Sequence, residues 1–499
     1  MKYFKLLFFL TLSILSCGEK TSSGKDLVFN TTSWDSLSIH MNDPEWFSDA
    51  KLGVYFHWGP YSVPAFHNEW YPRWMHVKGT KAYNYHVENF GDPANFGYHD
   101  FIPMFKAEKF NPKEWAELFK ISGARFAGVI AQHHDGFAMW DSKINPYNAS
   151  DMGPKRDIVG EMLEEVEELG LKTITTFHHA RTYQRFKNDS TKWGDNASYF
   201  PYNPNYATAS EDNKLKYLYG NMPWDEFQEY WLEEVNEVVK QYQPDIIWFD
   251  SGLDRISEDY RMKMVNLQVN NSIKNNKKTI VAYKQEDLPK NVGVLDIEQG
   301  GMRNIADEYW LSDMTISKGS WSYVKDQTYK KPELLIRNMI DIWSKRGIVL
   351  LNVSPTAEGV INQEQQHVLN AIGKWIKKHE EAVYQTRPYK IFGYGEALVE
   401  DGRHGGQKAT TEYSHNDIRF TISKDSSAIY LYVLGKPKPK ETISIKHISE
   451  YYKDRIKAIS LLGSHVPIEW NLNNAFLNIT TPNSNEMDDI ATVFKVSLK

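Results

Sequence analysis

The sequence predicts an α/β fold: a (β/α) TIM-like barrel followed by a C-terminal antiparallel β-sandwich. Three observations predict it. From about Trp46, short apolar runs alternate with helical patterns, as parallel βαβ units require. Several of these runs stop on a histidine or a carboxylate, and the carboxyl ends of barrel strands are where such residues gather. From about Arg387, short alternating segments separated by turn residues take over, which is the pattern of a sandwich. At 499 residues the chain is too long for one ordinary core, so two domains are expected.

Residues 1–17 carry a targeting pattern. Lys2 and Lys5 flank the apolar run Leu6 to Leu15, which is too short to span a bilayer and suits a signal peptide. Ile14-Leu15-Ser16-Cys17 resembles a bacterial lipobox, which makes Cys17 the lipidation site and predicts an exported periplasmic or outer-membrane-anchored lipoprotein. Cys17 is the only cysteine, so no thiol is left for a disulfide or for catalysis. Residues 18–39 are polar and are expected to be a tether.

The barrel is expected over residues 40–388. Gly53 to Gly59 is its first strand, Arg125 to Gln132 the second and Lys172 to Phe177 the third. Helical patterns occupy Trp115 to Ile121 and the stretch opened by Asp157, whose Ile158, Met162 and Val166 share one face. The polar, aromatic stretch from Tyr183 to Met222 is too long for a simple connection, and such loops are usually functional or flexible. A helix from Trp224 to Tyr242 then leads, through Pro244, into the apolar run Ile246-Ile247-Trp248-Phe249, which ends on Asp250. Thr279 to Tyr283, Val292 to Glu298 and Ile348 to Pro355 are the remaining predicted strands. Pro332 to Ser344 and Glu364 to Lys378 are the remaining predicted helices. The sandwich is expected over 389–499, with strands at 418–422, 428–433, 443–445 and 493–496.

Composition excludes some functions. Lys and Arg total 58 against 64 Asp and Glu, a formal charge of -6 without a long basic run, so nucleic acid is not an expected partner. There is no Gly-x-Ser-x-Gly elbow and no glycine-rich phosphate loop. No cofactor is expected. The strand ends deliver His57, His133, His134, Asp135, His178 and His179, with Glu69 and Trp70 in the loop after the first strand. Zinc would accept such donors. However, adjacent histidines on a strand point to opposite faces, so each pair should send only one inward, and no metal is predicted. Neutral donors and acceptors between Trp58 and Trp70 walls suit the hydroxyls of a sugar. Glycoside hydrolysis needs two carboxylates. Asp250 is the natural first, and Glu298 the second, with Asp296 competing from the same strand face.

Several blocks then resemble one family. They are Lys51 to Pro64, Asn68-Glu69-Trp70-Tyr71, Ala131 to Phe137, Trp248-Phe249-Asp250, Thr315 to Tyr323 and Leu350 to Pro355. In order and in content they resemble the α-L-fucosidases of glycoside hydrolase family 29, across roughly residues 43 to 388. The resemblance implies a retaining exo-hydrolase that removes terminal α-L-fucose through a covalent intermediate, acting on a fucosylated oligosaccharide or polysaccharide. It also implies Asp250 as nucleophile, with His57, Glu69, Trp70, His133, His134 and Trp321 binding fucose. Two departures matter. Many members carry Tyr-Tyr-Ser at the third strand's end, where this chain has Phe177-His178-His179, so His178 is taken as the substitute. One branch has a Trp-Glu acid where this chain has Trp310-Leu311, and leucine transfers no proton. Glu298 is therefore the chosen acid/base, with Glu308 and Glu286 behind it. A non-catalytic fucose-binding lipoprotein on the same fold is the alternative.

Overall fold

Eight parallel strands close into a barrel in sequence order, the last pairing with the first through Leu52 and Val349. They are Leu52–Phe56, Phe126–Gln132, Lys172–Phe177, Ile246–Phe249, Ile280–Lys284, Val294–Asp296, Trp310–Thr315 and Gly347–Val353. The computed structural model describes residues 29–41, 44–397, 399, 410–446, 448, 452, 454–473 and 476–499. The expected signal segment and Cys17 lie outside these residues. The barrel interior is filled by side chains such as Tyr55, Phe126, Ile174, Trp248, Leu311 and Leu350. A larger apolar layer lies between the strands and the surrounding helices.

Helices Pro112–Ile121, Ile158–Glu168, Trp224–Tyr242, Pro332–Ser344 and Gln363–Lys378 match the predicted helical stretches. Asp157 caps the second of these, its carboxylate accepting the Gly160 N–H at 2.9 Å. The strand Trp310–Thr315 was not predicted, because the polar Ser312 and Asp313 interrupt its apolar run, Asp313 on the interior face with Leu311 and Ser312 on the opposite face with Trp310 and Met314. The helix Glu258–Lys274 was missed for a related reason. Its buried side carries Asn266, Gln268 and Asn271, whose amides donate to the carbonyls of Thr31 and Pro244, so no apolar stripe marks it. The alternation of strand and helix also lapses twice. Among the described residues no helix joins the fifth strand to the sixth or the sixth to the seventh. Pro289, Gly293, Gly300 and Gly301 occupy those short connections.

Two predicted boundaries shift. The expected tether over 18–39 is docked from Phe29 onward: the Phe29 N–H donates to Asn270, Trp34 donates to Glu258, and Leu37 is fully buried. The sandwich begins at Thr386 rather than at 389, because Arg387 and Pro388 already pair with Ile422 and Thr421. Its larger sheet runs in the order Thr386–Tyr394, Ile418–Ser423, Ala428–Val433, Thr492–Leu498, Ile456–Leu461. A three-stranded sheet of Thr442–Ile445, Leu477–Thr480 and Trp470–Leu472 accompanies it. Phe420, Leu431, Leu477 and Phe494 belong to their shared core.

The barrel and the sandwich meet at a buried ion pair. Asp341, on the helix Pro332–Ser344, receives Arg419 Nε at 2.5 Å and Lys345 Nζ at 2.8 Å, all three side chains being almost fully buried. Removing one partner strands the others as uncompensated charges. Asp341→Ala is therefore expected to cost about 3–5 kcal/mol in denaturant unfolding. Adding Arg419→Met to that variant should recover part of the loss.

Candidate active site

The strand ends converge on a cavity of about 430 Å³ at the mouth of the barrel. All nine sequence-predicted catalytic and substrate-binding residues line it: His57, Glu69, Trp70, His133, His134, His178, Asp250, Glu298 and Trp321. Glu308 and Glu286, the two stand-ins for Glu298, line separate surface clefts instead.

Asp250 follows the fourth strand and is tied to the third through its N–H, which donates to the Phe177 carbonyl at 3.0 Å. The next turn needs Gly252, whose φ of 102° lies in the left-handed region. Around the Asp250 carboxylate stand His134 Nε2 at 3.1 Å, His178 Nδ1 at 3.5 Å and Lys284 Nζ at 2.9 Å. Burial alone would raise its pKa, but Lys284, then His134 and His178, hold it well below the usual carboxylate range. It is an ionised, oriented carboxylate.

Lys284 was not anticipated. It ends the fifth strand, one residue beyond the predicted end at Tyr283, and reaches Glu298 Oε2 at 2.7 Å and Asp313 Oδ2 at 3.3 Å. Burial works against its charge, yet Asp250, Asp313 and Glu298 hold its pKa well above the usual lysine range. Asp296, once a competitor of Glu298, lies below this group and does not line the cavity. It accepts the Asp313 N–H at 2.9 Å. Burial and the Asp313 charge push its pKa well up.

His57 is set by Asn352 on the eighth strand. The Asn352 amide nitrogen donates to the Trp321 carbonyl, and its oxygen accepts the His57 backbone N–H at 2.9 Å. That oxygen also faces His57 Nδ1 at 2.8 Å, so Nδ1 is the donor and Nε2 is left as an acceptor. Burial pushes His57 and His133 well below the usual imidazole range, and His134 down to about 4. His133 Nδ1 is buried without a partner among the described residues. Glu69 Oε2 accepts the Trp321 N–H at 3.0 Å, and burial pushes this carboxyl up to about 7. Uncharged donors and acceptors facing one cavity are what sugar hydroxyls require.

Two expectations fail here. His133 and His134 both line the cavity, because they follow the last residue of the second strand and its pairing register shifts between Ile130 and Gln132. Only His178 and His179 alternate, with His179 turned to Glu234 at 3.5 Å in the helical layer. Ring nitrogens of His57, His133 and His178 thus come within 4.8 Å of one another, as do donor atoms of His134, His178 and Asp250. The alternation argument against a metal therefore falls. A cation there would sit beside the Lys284 ammonium, which already neutralises Asp250. Trp58 is not a wall of the pocket: it is 1% exposed and packs on Phe105, Phe110 and Trp115. Asp135 is also turned away, accepting the Tyr98 hydroxyl at 2.5 Å. The walls come instead from Trp70, Trp321 and Trp248, the last lying under Lys284 at 4.9 Å.

The long insertion takes part in the wall. Asn196 lines the cavity, and buried Tyr199 packs on Trp70 and His134 while its hydroxyl donates to the Glu69 carbonyl at 2.8 Å. Arg73 anchors the segment through the carbonyls of Ser198 and Tyr199.

Known proteins share this architecture. Residues 19–381 match the model of the alpha-L-fucosidase family, and residues 410–497 match that of the alpha-L-fucosidase C-terminal domain. An alpha-L-fucosidase of Branchiostoma floridae is 27% identical over 461 residues, covering 87% of this chain and 90% of its own. Human plasma alpha-L-fucosidase is 29% identical over 380 residues, 72% of each chain. Among solved structures, Thermotoga maritima alpha-fucosidase in complex with a mechanism-based inhibitor superposes with a TM-score of 0.73 at 26% identity. It covers 93% of this chain and 99% of its own. The same enzyme in complex with fucose gives 0.71 at 26% identity, with 94% and 100% covered. With a barrel that gathers these residues and a family model that spans most of its length, the chain belongs to the alpha-L-fucosidases and is a glycoside hydrolase.

Proposed function

We propose that the protein is a retaining, exo-acting α-L-fucosidase in which Asp250 is the nucleophile and Glu298 the acid/base. One observation carries the reading. A single ammonium, Lys284 Nζ, lies 2.9 Å from an Asp250 oxygen and 2.7 Å from a Glu298 oxygen. Two oxygens so close to one atom fall short of the separation of about 6.5–9.5 Å that an inverting enzyme keeps for its water. They fit direct attack by one carboxylate and proton transfer by the other.

In the first step Asp250 attacks the anomeric carbon, and Glu298 gives its proton to the departing glycosidic oxygen. In the second step Glu298 takes a proton from water, which attacks the same carbon and releases Asp250. His57, Glu69, His133, His134 and His178 bind the fucose hydroxyls, with Trp70 and Trp321 as walls. The cavity's volume of about 430 Å³ favours a single terminal sugar, hence exo action. The intact Asp250–Lys284–Glu298 group speaks against a protein that binds fucose without turnover. Export and lipidation at Cys17 are proposed from the leader pattern.

Trapping tests the reading. A 2-deoxy-2-fluoro-fucosyl donor should add one fluorofucosyl mass to the protein, located by peptide mapping on Asp250. Turnover of that donor to free 2-deoxy-2-fluoro-fucose with no adduct on Asp250 would sink the assignment. Lys284 gives a second test. Without its positive charge Asp250 becomes harder to ionise, so its pKa moves up. Lys284→Met should shift the acid limb of kcat/KM upward by about one pH unit or more and lower kcat about 10²-fold. An acid limb that stays put would mean that Lys284 does not act on Asp250.

A further inference from the structure

Three arginines stand together beside the cavity, none within salt-bridge distance of a carboxylate among the described residues, while Asp250, Asp254 and Asp287 act on Arg181 at longer range. Arg181 ends the turn after the third strand and reaches across to the segment that follows Asp250. Its Nε donates to the Ser251 carbonyl at 3.0 Å, and its terminal nitrogens donate to Ser251 Oγ and the Asn196 carbonyl, each at 3.2 Å. Ser251 and Asn196 both line the cavity. Arg255 closes the turn Leu253–Arg255. A Cβ placed on Gly252 would lie 3.1 Å from Arg255 Nε and 3.2 Å from Arg181 Nε, so both guanidiniums converge on the same side of that glycine. Arg185 joins them, donating to the Arg255 carbonyl at 3.3 Å and resting on the faces of Trp224 and Tyr183.

No carboxylate lies within salt-bridge distance of any of the three among the described residues, unlike Arg125, Arg156, Arg387 and Arg419. The Nε atoms of Arg185 and Arg255 are buried with no hydrogen-bond partner among the described residues. Burial and the Arg255 charge push Arg185 down to about 10, so the neighbours repel. Like charges brought together, partly dried and left unpaired, cost free energy unless an anion shares the site. Guanidinium forks match the planar or tetrahedral oxygens of carboxylates and sulfates.

We propose that Arg181, Arg185 and Arg255 form an anion subsite that takes a sulfate ester or a uronate carboxylate carried by the saccharide next to the scissile bond. This rests on the fucosidase reading, since the anion is placed by its distance from the sugar held at Asp250. The chain's overall charge of -6 gives no general attraction for such substrates, so the preference is local to these side chains.

The test uses the intact protein and fucosyl-galactosides of whichever linkage it cuts fastest. The galactose is left neutral, sulfated at each free position in turn, or replaced by galacturonate. At low ionic strength the best anionic substrate should show a kcat/KM about tenfold above its neutral counterpart, and 0.5 M NaCl should erase most of that preference. The sulfate and carboxylate arms identify which anion the subsite takes. Arg255→Gln should abolish the preference while changing turnover of 4-nitrophenyl fucoside less than about twofold, and Arg255→Lys should keep part of it. Arg185→Gln serves in its place if Arg255→Gln does not fold. The proposal is overturned if no anionic substrate outpaces its neutral counterpart, or if Arg255→Gln slows neutral and anionic substrates alike. Failure to cut any fucoside would instead defeat the underlying activity.

Discussion

Asp250→Asn is expected to lower kcat/KM on an aryl α-L-fucoside by about 10⁴-fold or more, since removal of a nucleophile leaves only binding and electrostatic stabilisation. The amide keeps the shape of the carboxylate, so the fold should survive. It does not keep the charge that Lys284 and the two histidines are built around. Loss should therefore fall on kcat for good and poor leaving groups alike, because both need the covalent step. The wild-type acid limb should lie low, because Lys284, His134 and His178 overcome the effect of burial and keep Asp250 ionised well below the ordinary carboxylate pKa. If Asp250→Asn hydrolysed the aryl fucoside within tenfold of the wild type, the nucleophile would have to be another group.

How much of this was legible in the sequence depended on whether a residue's role is local. Asp250, His57 and His133 sit where an apolar run stops, and a strand's carboxyl end in a parallel barrel is a rule that needs only local pattern. The strands and helices with a clear apolar face were legible for the same reason. Lys284 was not, because its role exists only when Asp250, Glu298 and Asp313 arrive from three other strands. The signal was a lysine closing a buried strand, the same position that marked Asp250. Trp58 and Trp70 look alike in sequence, and only the packing of Phe105, Phe110 and Trp115 around Trp58 removes it from the sugar. The helix Glu258–Lys274 hides because its buried amides satisfy backbone carbonyls instead of filling a hydrophobic core. Polar burial of this kind has no periodic signature.

Glu298→Gln is expected to separate the two halves of the reaction. A general acid is worth about 10²–10⁴-fold, and its loss matters in proportion to how badly the leaving group needs a proton. With 2,4-dinitrophenyl fucoside the first step needs no acid, so the variant should form the fucosyl-enzyme quickly and accumulate it. A fucosyl-saccharide should be cut about 10³-fold more slowly than by the wild type. Azide needs no deprotonation to attack, so it should restore turnover on the activated substrate. It enters on the face that Glu298 vacates, and the product of a retaining enzyme is then the α-fucosyl azide. The β-azide, or no azide effect with equal loss on good and poor leaving groups, would remove Glu298 from this role. Lys284 makes the outcome sharper. Its Nζ stays bonded to Asp250 and Asp313 when the Glu298 charge is gone, so the nucleophile's environment is largely preserved and the effect reads on proton transfer. The acid limb of the wild-type profile, set by Asp250, should remain in Glu298→Gln.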